Sequence, residues 1–351
     1  MKMSCKLHFA VMTIALAMPI AAHALEAGIR EVPAKEVPVP TADVSPQMQA
    51  VIGAPYQPVW NEHPKDATAW KALIKMRADA VIKLLPGIRE KLGVKIEQVA
   101  VAGVNCYILT PPDLPEQNRN RLLVHVHGGG YVFGPGESAT LEATLMAAFG
   151  KFKVISVDYR MPPDFPYPAA MDDAMAVWKE MLKTNDPKKM AIFGTSTGGG
   201  MTLAMVLRAK SEGLALPAAI APGTPWSDMT KTGDTFFTNE MVDNVLVSND
   251  GWLGDAAKLY AAGHDLRDPQ LSPVYGDFHG FPPTILTSGT RDLFLSNTVR
   301  VHRNLRGAGV EATLIVFEGQ SHAQYYADPF GPETKEHFAE LAQFFDRHLA
   351  K

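Results

Sequence analysis

Short apolar runs, each stopped by a glycine or a polar loop, recur along the chain and alternate with longer stretches of helical spacing. Met190-Ala191-Ile192-Phe193 has too few residues for a helix and meets Gly194 at once, as a strand buried on both faces does. Residues 121–126, 154–157, 217–221, 282–287 and 312–317 read in the same way. Residues 67–85, 170–182, 201–208 and 332–349 read as helices, by apolar spacing or by runs of helix formers without a breaker. Between 94 and 109, two strand-like runs flank Ala102-Gly103 and predict a hairpin, which Pro111 and Pro112 end. The alternation predicts an α/β fold with a mostly parallel central sheet flanked by helices.

The N-terminus breaks this pattern. Lys2 and Lys6 precede an uncharged run from Leu7 to Ala22 that ends in Ala22-His23-Ala24, the order of a secretory signal peptide with cleavage before Leu25. The run is shorter than the ~20 residues of a membrane span and contains Pro19, so no stable span is expected after cleavage. Residues 25–58, rich in Pro, Ala and Val, read as a linker. In the 67–85 helix, Trp70, Leu73, Ile74, Met76, Ala80, Val81 and Leu84 form a face that needs a surface to cover. The expected organisation is therefore a signal peptide at 1–24, a linker and helical region at 25–90, and one large α/β domain at 91–351.

Composition agrees with a folded protein: 46% hydrophobic and 20% charged residues supply one sizeable core. The formal net charge is -4, and loss of Lys2 and Lys6 makes the mature chain more acidic, which gives no support to nucleic-acid binding. Cys5 falls in the signal peptide and leaves Cys106 alone, so neither an intrachain disulfide nor a cysteine metal cluster is expected. Cys106 reads as a small buried residue. Export without disulfides fits a bacterial periplasm or secretion.

Two glycine-rich corners carry the candidate chemistry. Gly194-Thr195-Ser196-Thr197-Gly198 joins the 190–193 strand to a helix and has the G-x-S-x-G form, in which a nucleophilic serine sits on a sharp turn at a helix N-terminus. His127-Gly128-Gly129-Gly130 follows the 121–126 strand, and its N–H groups are unobstructed and able to converge on an oxyanion. It has neither the G-x-x-x-x-G-K-[ST] nor the G-x-G-x-x-G spacing of phosphate loops. Asp292 and His322 each follow a strand end, which gives the chain order Ser196, Asp292, His322 of α/β hydrolases. His322 is the candidate base for Ser196, and Asp292 the group that would orient it. An acid after a strand also serves as a helix cap, a role open to Ser296 as well. His127 is expected to order the glycine loop, and His125 to lie buried in its strand.

Together with these corners, Asp158-Tyr159-Arg160-Met161-Pro162-Pro163 and the following Pro168-Ala169-Ala170 make the chain resemble the bacterial hormone-sensitive-lipase-like esterases from about Leu122 to His348. That resemblance implies the α/β-hydrolase fold with a helical cap, which the N-terminal helix and an insertion near 231–263 would form. It implies an oxyanion hole from the N–H groups of Gly129, Gly130 and Thr197, and serine carboxylesterase activity on short- to medium-chain esters without metal or organic cofactor. Pairing of two copies through edge strands is also a family trait. Thr195 and Thr197 stand where the family usually has Asp and Ala, which bears on substrate choice. Alternatives are a lactone or amide hydrolase on the same triad and a non-catalytic ligand-binding protein on this scaffold, the latter disfavoured by retention of all three polar residues.

Overall fold

The computed structural model describes residues 32–350, so the expected signal peptide at 1–24 lies outside the described residues. Residues from Val39 onward form one folded unit. It begins with three helices, α1 (Pro46–Ile52), α2 (Ala67–Ile82) and α3 (Leu85–Leu92). The hairpin predicted around Ala102-Gly103 follows as β1 (Lys95–Val101) and β2 (Val104–Thr110), paired antiparallel with Val101 opposite Val104. Strands and helices then alternate through β3 (Leu122–Val126), α4 (Leu141–Leu145), β4 (Lys153–Val157), α5 (Ala169–Thr184), β5 (Met190–Thr195), α6 (Thr197–Ser211) and β6 (Ala219–Gly223). The chain closes with α7 (Thr235–Thr238), α8 (Trp252–Ala261), β7 (Thr284–Gly289), α9 (Leu295–Gly307), β8 (Ala312–Phe317) and α10 (Pro332–His348).

The eight strands lie in the order β1-β2-β4-β3-β5-β6-β7-β8, antiparallel at β1/β2 and β2/β4 and parallel elsewhere. Side chains alternate between the two faces of a strand, so each central strand feeds two cores. Val124, Ile155, Ile192 and Ile220 pack with Trp178 of α5, Leu203 of α6 and Val301 of α9. Leu123, Val154, Ala191 and Phe193 pack instead with Leu145 of α4 and with Phe338 and Phe344 of α10. Helices on both faces explain why these strands read as continuous apolar runs. Among the described residues no helix is long and apolar enough to cross a membrane.

Four boundaries differ from expectation. The stretch read as linker contains α1, whose N-cap Ser45 accepts from Met48 N–H and whose first position is Pro46. Only Met48 and Ile52 of it are buried, so its periodicity is too short to show in the sequence. The helix expected over 67–85 stops at Ile82, because Pro86 lacks an N–H and suits only the first turn of a new helix, α3. β7 starts at Thr284, after Pro282-Pro283, and β6 at Ala219, after Pro217, since proline cannot donate to the ladder.

Candidate active site

Ser196 occupies the single residue between β5 and α6, with φ 65° and ψ -123°. That backbone region costs an L-residue about 1–3 kcal/mol, and the surroundings hold it there. Ser196 N–H donates to the Gly223 carbonyl at 2.9 Å, and its own carbonyl accepts from Trp226 N–H at 2.8 Å and Gly200 N–H at 3.0 Å. A Cβ at either Gly194 or Gly198 would run into the Val126 carbonyl, so the corner closes only with glycine on both sides of the serine.

The 127–130 loop lies against this corner: a Cβ on Gly128 would stand 2.7 Å from the Thr195 carbonyl oxygen and 3.1 Å from Ser196 Cβ. Gly129 and Gly130 take φ values of 117° and 66°, and the Gly129 carbonyl turns away to accept from Val132 and Phe133 N–H at 3.1 and 2.8 Å. Among the described residues, the N–H groups of Gly129 and Gly130 donate to no protein acceptor. Thr197 N–H is the first of α6, ahead of the intrahelical ladder. His127 fixes the loop as expected. Its Nδ1–H donates to the Gly128 carbonyl at 2.7 Å, its ring stacks on Tyr159 at 4.0 Å, and Tyr159 O–H donates to its carbonyl at 2.6 Å. Burial pushes the His127 imidazole down to about 3, so it stays neutral and has no acid–base work at ordinary pH.

Asp292 and His322 meet at the ends of β7 and β8, with His322 Nδ1 3.1 Å from Asp292 Oδ1. Asp292 is fully buried. Its Oδ1 also accepts from Phe294 N–H at 2.8 Å, while Oδ2 accepts from Ser288 Oγ at 3.0 Å and from Thr224 Oγ1. One carboxylate thus both caps the turn before α9 and orients the imidazole. Ser296 does neither: it exchanges hydrogen bonds with Thr235, its Oγ accepting and its N–H donating at 2.9 Å each, which ties α7 to α9. Ser196 and His322 face a common cavity of about 330 Å³ with Gly129 and Gly130. Arg77, Ala78 and Val81 of α2 and Val245, Leu246 and Trp252 complete another part of its wall.

A family model described as the α/β-hydrolase fold matches residues 123–326. The crystal structure of an esterase, E25, superposes with a TM-score of 0.88 at 40% identity, over 92% of this chain and 99% of that one. An esterase from the bacterial hormone-sensitive lipase family superposes at 0.71 with 26% identity, over 87% and 99% of the two chains. The chain belongs to the bacterial hormone-sensitive-lipase-like esterases of the α/β-hydrolase fold. An acetyl-hydrolase of Streptomyces hygroscopicus is 29% identical over 63% of this chain and 74% of its own length.

The structure shows what the Thr195 hydroxyl holds. Thr195 Oγ1 donates to Glu142 Oε1 at 2.7 Å, and Glu142 Oε2 lies 3.1 Å from His125 Nε2. A buried acid of α4 therefore stands behind the corner. Among the apolar residues of the 231–263 insertion, Val245, Leu246 and Trp252 reach the cavity. Phe236 packs on Phe294, while Phe237 and Met241 face solvent.

Sequence reasoning missed Asp243. This buried carboxylate accepts four backbone N–H groups: Val245 at 2.8 Å and Leu246 at 3.0 Å on Oδ1, Leu293 at 2.9 Å and His322 at 3.3 Å on Oδ2. It joins the 243–246 loop, which walls the cavity, to the residue after Asp292 and to His322 itself. Asparagine cannot copy this, since its NH₂ would face one of the two N–H pairs. Asp243→Asn is expected to lower kcat about 10²-fold through misplacement of His322, read by steady-state kinetics. Burial and the Asp292 charge hold the Asp243 carboxyl up at about 6, against the pull of His322 and the N–H groups. The folded chain keeps this proton more tightly than the unfolded one, so the group's contribution to stability is present below its ordinary 3.8 and lost as pH rises through about 6. The wild type's margin in Tm over Asp243→Asn is therefore larger at about pH 4 than at about pH 7, which thermal melts check.

Proposed function

We propose that the protein is a serine carboxylesterase that works through an acyl-enzyme on Ser196. The observation that carries this reading is the shared cavity: a strained serine, an imidazole on a buried carboxylate, and a loop of free N–H groups face one space. With Nδ1 engaged by Asp292, His322 has Nε2 left to take the Ser196 proton as Oγ attacks the ester carbonyl. The negative charge that develops on the carbonyl oxygen is stabilised by the N–H groups of Gly129, Gly130 and Thr197. His322 then returns the proton to the leaving alkoxide, and a water activated by the same imidazole releases the acid and frees Ser196. Asp292 keeps the tautomer and stabilises the imidazolium.

The helix α2 and the 231–263 insertion form the cap of this reading, and the cavity of about 330 Å³ suits short to medium acyl chains. Hydrolysis of p-nitrophenyl esters from acetate to palmitate tests it. We expect an optimum at short or medium chain length, and no turnover of any member by folded protein would reject the esterase reading in favour of a lactonase, amidase or binding protein. Export through the 1–24 leader is part of the proposal, and mass spectrometry of the protein recovered from a bacterial periplasm or medium should give a chain that starts at Leu25. Pairing through the sheet edge is carried as a family trait and is checked by sedimentation.

A further inference from the structure

Most half-buried or buried arginines in this chain are matched to acids, as Arg89 is to Glu137, Arg121 to Asp346 and Arg300 to Asp228. Arg77 is not. It projects from α2 into the wall of the cavity that holds Ser196 and His322. Its guanidinium carbon lies 4.4 Å from the ring centroid of Phe133 and 5.3 Å from that of Trp252. Among the described residues it has no ion pair or hydrogen bond. Burial lowers its proton affinity, and no neighbouring acid offsets that effect. Glu142 shares the cavity wall, but its two oxygens are engaged by Thr195 and His125.

Arg77 is half-buried, and a cation partly withdrawn from water without an acid beside it favours an anion that can meet it. The two ring centroids are 4.9 Å apart, so both rings stand to one side of the guanidinium, and its N–H groups, which suit a carboxylate, meet no protein acceptor among the described residues. Those same rings border the oxyanion loop: Phe133 N–H closes the turn on the Gly129 carbonyl, and a Cβ at Gly130 would stand 2.7 Å from the Trp252 ring. An anion on Arg77 would therefore belong to a molecule small enough to reach Ser196 as well.

We propose that the esters this site takes carry a carboxylate, held by Arg77 in the same cavity as the reacting carbonyl. This deepens the esterase reading and rests on it. The substrate class is a half-ester of a dicarboxylic acid or an acylated hydroxy acid, and hydrolysis consumes one water and yields the free acid and the alcohol. Arg77 acts on specificity and takes no part in bond making.

The test compares two ester pairs that differ only in charge: monoethyl glutarate with its neutral amide, and 3-acetoxypropanoate with 3-acetoxypropanamide. They place the carboxylate on the acyl and the alcohol side respectively. The readout is the ratio of kcat/KM for the charged over the neutral member, which cancels any loss of folded enzyme in a variant. The wild type is expected to favour the charged member of at least one pair. Arg77→Met should lower that ratio roughly 10- to 100-fold, mainly through KM, the size expected for a charge-assisted hydrogen bond. Arg77→Lys should restore part of it, and Arg77→Glu should invert the preference. Equal ratios in wild type and Arg77→Met, or a wild-type preference for the amide in both pairs, would overturn the proposal and assign Arg77 to covering the two rings. Wild-type protein that cleaves neither these esters nor p-nitrophenyl butyrate would remove the esterase reading and this inference with it. Turnover of the neutral esters with an unchanged ratio removes the inference alone.

Discussion

Ser196→Ala should reduce ester hydrolysis roughly 10⁴- to 10⁶-fold while leaving the fold intact, because the hydroxyl is the one atom that forms the acyl-enzyme. The corner does not depend on that hydroxyl. Its backbone is fixed by hydrogen bonds from Ser196 N–H to the Gly223 carbonyl and from Trp226 N–H to the Ser196 carbonyl, none of which involves Oγ. The hydroxyl itself contributes no side-chain cap to α6. Alanine also relieves nothing of the strain at φ 65°, so the variant should melt close to the wild type. Activity measured beside thermal melting checks both halves of this expectation. A variant that retains a tenth of wild-type turnover would place the nucleophile elsewhere.

Gly129→Ala is expected to cost roughly 10²- to 10³-fold in kcat with a smaller change in KM, the loss typical when one oxyanion donor is misplaced. The added Cβ would press on the Phe133 carbonyl, in a chain segment that closes back on Gly129 through the Phe133 N–H at 2.8 Å. The φ of 117° is itself strained for alanine. The loop must shift or reopen, and the N–H groups of Gly129 and Gly130 move with it. Since the ester is bound before charge develops on its oxygen, the penalty falls on the transition state. Steady-state kinetics on a short-chain ester separates kcat from KM, and a pure KM effect would count against this loop as the oxyanion site.

The parts of the molecule that were legible in the sequence are those where chemistry forces a local pattern. Buried parallel strands must be apolar on both faces, which made β3 and β5 readable. The sharp corner at Ser196 excludes side chains at 194 and 198, and the loop at 129–130 needs left-handed backbone, so glycine announced both. Asp292 and His322 were legible because they follow strand ends in a fixed order. Other features depend on contacts between residues far apart in the chain. α1 starts on a local cap, Ser45 and Pro46, but it is held by Ser45 on Glu333 of α10 and by Asn244 and Gln324 on its last carbonyls, and its two buried residues are too few to show a period. Asp243 lies in an irregular loop, and its worth comes from N–H groups at 293 and 322. Glu142 meets Thr195 only because α4 brings it across 53 residues of sequence. The 231–263 stretch is rich in large apolar residues, and which of them met the cavity was a matter of chain placement that composition does not encode.

The most direct measurement of the central claim is covalent trapping. The protein is treated with a fluorophosphonate, digested, and the modified peptide sequenced by mass spectrometry while esterase activity is followed in parallel. The account predicts a single adduct on Ser196, formed in step with loss of activity and slowed by a competing short-chain ester. Complete loss of activity with Ser196 unmodified, or an adduct at Ser196 with activity retained, would contradict it.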